Sequence, residues 1–153
     1  MQESLSESRI HRRLIDQLYV EAMVLADEAR TYFDEEGRAE RESLAPVERV
    51  GFSCESLKVT TRLMHVIAWL LTQRAVAAGE LRPHDALDPS RRLGEAPLTD
   101  EAAAAGLPLR ARLLIMASSD LHRRIARLDG TAQTSGPAVS PARAMQQRLA
   151  LAF

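Results

Sequence analysis

Cysteine is almost missing from this chain: Cys54 is the only one among 153 residues. A single cysteine closes no internal disulfide, so the sequence predicts a core held without covalent staples and a reducing, cytoplasmic setting. Aromatic residues are also scarce, at 4%, with one tryptophan. The apolar residues are mostly Ala and Leu, which favours helix over sheet. No sign of charge dominates. Twenty Lys and Arg face 21 Asp and Glu, for a net charge of -1. Without a broad cationic field the chain is not an expected nucleic-acid binder. No apolar run reaches the ~18 residues that cross a bilayer, so no membrane span is expected. The opening MQESLSESR has no apolar stretch of the secretory kind.

What is present is helical pattern. The length suits one domain. Leu14, Leu18, Ala22, Leu25, Ala29 and Tyr32 recur at steps of four and three, which predicts a first helix from about Glu7 to Asp34. Ser4 or Ser6 is placed to cap its start, and Gly37 suits a left-handed stop. The charged stretch 38–45 reads as an exposed link. Pro46 fits a first helical turn, and nothing breaks the pattern before Ala78 and Gly79. That gives a central helix of roughly 45–50 Å. Segment 79–98 holds Pro83, Pro89, Pro97 and Gly94 and reads as a long connection. Thr99, Asp100 and Glu101 resemble the cap of a short turn ending at Gly106. A third helix is expected from Pro108, with Leu114, Ala117, Leu121, Ile125 and Leu128 as its apolar line and Gly130 as its end. The expected architecture is all-α: an antiparallel three-helix bundle over residues 1–130, with a long central helix. Residues 131–153 read as a flexible or partly helical tail, with 142–153 as the candidate terminal helix.

The central helix carries two apolar lines. Val50, Cys54, Leu57, Met64, Ala68, Leu71 and Ala75 form one, and Val59, Leu63, Val66, Ile67 and Leu70 the other. Two lines suit a helix covered by both neighbours. The remaining polar arc holds Glu55, Lys58, Arg62, His65 and Gln73, with Trp69 among them. Two readings of Trp69 stand: it packs on the Arg62 stem or under the 79–98 connection, or it belongs to a protein-interaction surface with Lys58, Arg62, His65 and Gln73. Trp beside Arg is typical of interface hot spots.

Catalytic chemistry has little support. Cys54 lies on an apolar line and reads as a small core residue. His11, His65, His84 and His122 show no metal-ligand spacing. HRR at 11–13 and HRRIAR at 122–127 read as charged helix faces. No glycine loop for phosphate and no paired carboxylates occur, so neither an enzyme nor a cofactor is expected. One alternative is a histidine phosphotransfer module built on His65, with Lys58 and Arg62 on the same arc. Trp69 at the following turn departs from the small residue that such modules keep beside the histidine.

The stretch from Glu55 to Glu80 resembles the signature helix of the family typified by the regulator of CtrA degradation. The matching residues are Glu55-Ser56, Thr60 to Met64, Ala68 to Leu71, Arg74 to Val76 and Gly79-Glu80. YFDEEGR (Tyr32 to Arg38) and RIARLD (Arg124 to Asp129) support it, and the resemblance spans roughly 10–130. It implies a small three-helix bundle that dimerises. It also implies a non-enzymatic adaptor in cell-cycle proteolysis, tethering substrates or further adaptors to the ClpXP protease through ClpX and its response-regulator primer. The other class left open is a structural or oligomeric helical module with an unrelated partner.

Overall fold

The computed structural model describes residues 1–134, and among them no strand occurs. Helix α1 spans Gln2–Thr31 and widens into a π-helical turn at Tyr32–Glu36. A short α2, Arg38–Glu42, leads to α3, Pro46–Ala77. After two single turns at Asp85–Leu87 and Pro89–Arg91 come α4, Glu101–Ala104, and α5, Leu109–Thr134. Three long helices make the expected bundle.

The ends of these helices follow local chemistry. Pro46 opens α3, and the Glu48 carboxylate accepts from the Ala45 N–H at 3.2 Å. Ala45 has no side-chain acceptor, so only this half of a capping box forms. Gly79 has φ +76, and the Glu80 N–H returns to Ala75 O at 2.9 Å, a left-handed stop that only glycine takes cheaply. Asp100, rather than Thr99, caps α4 through the Ala102 and Ala103 N–H groups. Gly37 is not left-handed, since its φ is -83. It is needed because an added Cβ would lie 2.7 Å from Tyr32 O and 2.9 Å from the Tyr32 ring. No side chain of Ser4 or Ser6 caps α1, which starts at Gln2.

Helix directions follow from paired residues. Asp16 pairs with Arg74, and Phe33 packs on Phe52, so α1 and α3 are antiparallel. Glu21 pairs with Arg124 and Glu36 with Arg110, so α1 and α5 are antiparallel too. Helices α3 and α5 therefore run parallel, as the Arg62–Ser118 and Trp69–Asp129 contacts show. The bundle is antiparallel about α1, and the long 78–108 connection returns the chain to the end where α3 began.

The core runs along the axis. Leu18, Ala22, Ala29 and Tyr32 of the predicted α1 line are buried, with Ile15 taking the place of the more exposed Leu14. Leu114, Leu121 and Ile125 of α5 are buried, with Ser118 inside where Ala117 was expected. Tyr32, Phe33 and Phe52 close one end, their ring centroids 5.1–6.1 Å apart. Helix α5 does not stop at Gly130. An exposed glycine costs a helix only about 1 kcal/mol, and the Thr131 hydroxyl bonds back to Arg127 O. Helix α5 therefore runs on to Thr134, past its expected end. The rest of the expected tail, including the candidate helix 142–153, lies outside the described residues.

Candidate functional site

The polar arc of α3 is not a free surface. The returning connection lies over it as an extended strap, residues 93–99, in the groove between α3 and α5. Arg62 is 1% exposed, Trp69 3% and Glu55 3%. Of the two readings of Trp69, its burial agrees with packing inside the fold beside the connection, and Arg62 on the same arc is buried with it, the polar atoms of both satisfied from the strap or from α5. Lys58, His65 and Gln73 are half-buried. Four of the five predicted interaction residues (Lys58, Arg62, His65 and Trp69) line the strap side of α3, and Gln73 lies further along beside His11 and Arg12.

Arg62 is the main fastener. Its guanidinium donates to Pro97 O at 2.8 and 3.2 Å, to Thr99 Oγ1 at 2.6 Å and to Ser118 Oγ at 3.3 Å. The Thr99 hydroxyl in turn donates to Glu55 Oε2 at 2.8 Å, and Lys58 Nζ donates to Glu55 Oε1 at 3.1 Å. One buried cation thus joins α3, the strap and α5. Burial pushes the Arg62 guanidinium below its ordinary value, and the Glu55 charge opposes that shift.

The strap is held at two more levels. His65 Nδ1 lies 3.0 Å from Glu95 O, and His122 Nε2 lies 2.8 Å from Gly94 O. Gly94 is there because a Cβ would fall 2.6 Å from His65 Nδ1. The contact with Glu95 O engages one ring nitrogen of His65 with the strap. Further along, Asp129 Oδ1 accepts from Trp69 Nε1 at 3.0 Å and from Arg92 Nε at 2.7 Å. His122 and Arg124 are likewise engaged, Arg124 donating twice to Glu21. That pairing holds the Glu21 carboxyl below its usual range. Among the described residues no group of His, Cys, Asp and Glu fits a metal ion. No described helix is long and apolar enough to cross a membrane.

The exposed face of α3 is its apolar one. Val50, Leu57, Met64 and Leu71 are 65%, 69%, 64% and 47% exposed, and Cys54 beside them is exposed as well. The line taken as half of the core, Cys54 included, therefore points outward. Of the two expected lines, only Val59, Leu63, Val66 and Leu70 are buried, with Ile67 partly so. The buried stripe Phe52, Glu55, Val59, Arg62, Val66, Trp69 has the same spacing of three and four, but two of its members are charged. Scoring charge as exposure hid it. The signal for the outer face was present: Val50, Cys54, Leu57, Thr61, Met64, Ala68, Leu71 and Ala75 keep a strict heptad rhythm, the pattern of a helix-pairing seam.

On the other side of the strap, α5 and residues 96–105 enclose a groove of about 1030 Å³. Ile115, Met116 and Ala126 form one wall, and Pro97, Leu98 and Ala104 the other.

Comparisons with known proteins agree with this architecture. A family model described as "Protein of unknown function (DUF1465)" matches residues 6–153. A solved structure, RcdA from Caulobacter crescentus CB15, is 33% identical, covers 81% of this chain and 95% of its own, and superposes with a TM-score of 0.65. No curated protein matches the chain. By the family match over almost the whole length and the likeness to RcdA, the chain belongs to the RcdA-like DUF1465 family.

Proposed function

We propose that this protein is a non-enzymatic adaptor that pairs with a second copy through the heptad face of α3. In the cytoplasm it would tether protein substrates, or further adaptors, to a ClpXP protease primed by a response regulator. The observation that carries the adaptor role is the likeness to RcdA, at 33% identity over 81% of the chain. The α3 face supports the pairing. Four large apolar side chains at seven-residue intervals stand in solvent along one helix, and surfaces of this kind mark interfaces. Arg62 and Trp69 enter this function as residues that set the strap, and not as direct contacts.

Two measurements test it. The purified chain should be retained by ClpX in the presence of its receiver-domain primer, and not by ClpX alone. A Leu57→Glu/Met64→Glu variant should keep its helicity but sediment as a monomer. Truncating an interface anchor costs about 2 kcal/mol or more, so even one of the two acting alone should weaken self-association ~30-fold. Pairing without retention on primed ClpX would leave a helical oligomer with an unrelated partner. An unchanged self-association in the variant would remove α3 as the seam.

A further inference from the structure

The outward face of α3 carries two rows of side chains of unequal size. Val50, Leu57, Met64 and Leu71 form the large row, all of them exposed. Cys54, Thr61, Ala68 and Ala75, each four residues further on, form the small row, with Cys54 and Ala68 exposed and Thr61 and Ala75 half-buried. At the two ends large and small change places: Val47 stands in line with the small row and Ala78 with the large one, both exposed. Resting on the pairing proposed above, we propose its geometry: the two copies pack α3 against α3 antiparallel, about a two-fold axis that crosses the helix between residues 62 and 63.

Side-chain size decides the direction. In a parallel pair in register each seam residue faces its own copy, so large meets large and small meets small. The large layers would hold the helices apart and leave voids at Cys54, Thr61, Ala68 and Ala75. In an antiparallel pair the rows cross. The layers become Val50–Ala75, Leu57–Ala68, Met64–Thr61 and Leu71–Cys54, with Val47–Ala78 at the ends, one residue from each copy. Every layer then holds one large and one small side chain. The gap is even, and the axes can approach to the lower end of the ~8–10 Å range for packed helices. The same rows set the register. A slip of one heptad either sets Leu71 against Val47 or carries Val50 past the end of the facing α3, which stops at Ala77.

The surface beside Cys54 fits this direction. A recess of about 520 Å³ opens there between α2 and α3, lined by Glu42, Arg49, Val50, Ser53 and Leu57. The antiparallel layer at Cys54 brings Leu71 of the partner subunit to this recess, where the parallel layer would bring a second Cys54. The two-fold axis fills both recesses alike, so the contact closes at two copies. The paired stretch from Val50 to Ala75 runs about 38 Å along each helix.

Cys54, the only cysteine of the chain, makes the geometry measurable. In the antiparallel pair the two copies of Cys54 lie about 25 Å apart along the helices, far beyond the roughly 4.4–6.8 Å between Cα atoms that a disulfide joins. The full chain is treated with a mild oxidant and read by mass. The unsubstituted chain should not link. Leu71→Cys, which keeps Cys54, should link at dimer mass through 54–71 bonds, since within one chain those positions are about 25 Å apart too. Cys54→Ser/Leu71→Cys should not link. Cys54→Ser/Val50→Cys/Ala75→Cys should link 50 to 75 between chains. These positions lie outside the buried core, and sedimentation verifies that each variant still pairs. A dimer-mass product from the unsubstituted chain would overturn the antiparallel direction. So would paired variants that link at neither 54–71 nor 50–75. An unsubstituted chain that sediments as a monomer would instead remove the pairing itself.

Discussion

Replacing Arg62 by Met tests whether the strap is pinned by one buried cation. The substitution keeps an unbranched stem of similar length and removes the guanidinium. Pro97 O then loses both of its donors, while Thr99 keeps Glu55 and Ser118 keeps Ile115 O. A buried acceptor left unsatisfied costs about 1–3 kcal/mol. Glu55, 3% exposed, also loses its nearest buried counter-charge, although Lys58 remains at 3.1 Å. Breaking a buried charged contact from one side costs about 3–5 kcal/mol when nothing compensates. With Lys58 in place, we expect about 3 kcal/mol in total. For a chain of this size each kcal/mol moves the melting temperature by about 2–4 °C, so the drop should be about 6–12 °C. Circular dichroism gives the melt, and amide exchange should rise selectively across 93–99. The double variant Glu55→Gln/Arg62→Met should recover about 1 kcal/mol, since no uncompensated carboxylate remains. An Arg62→Met melt within about 2 °C of the parent, with strap exchange unchanged, would refute the fastening. If such a stable variant also failed to bind partners, Arg62 would be a contact residue after all.

Two further outcomes follow from close packing and titration. Gly94→Ala sets a methyl 2.6 Å from His65 Nδ1, and His65 can yield only by giving up Glu95 O, so a loss of about 1–3 kcal/mol is expected. Adding His65→Ser should restore part of it, whereas a double variant as unstable as Gly94→Ala alone would place the strain elsewhere. Burial, then the bond to Glu40, raises the Tyr32 hydroxyl above its ordinary value of 10.0. Above that pH the unfolded chain ionises while the folded chain does not, so stability should fall as pH rises past 10, and Tyr32→Phe should flatten that fall in denaturant titrations.

Local pattern was enough for a good deal of this molecule. The spacing of Leu18, Ala22, Ala29 and Tyr32, the pause at Pro46 and the stop at Gly79 mark the helices because they depend on neighbours within a few residues. The block from Thr60 to Leu71 pointed to the family for the same reason: it is contiguous. Which side of α3 is buried was not legible there. That depends on residues 93–99 returning between α3 and α5, and on Pro97 O, Thr99 and Ser118 meeting Arg62 at sequence separations of 35 to 56. A charge buried with full partners and an apolar seam left in water both invert the usual rule that polarity tracks exposure. Only the tertiary structure supplies those partners. The sequence by itself determined the helices and their family. The parallel course of α3 and α5, the strap between them and the outward heptad face were decided by how the long connection came back.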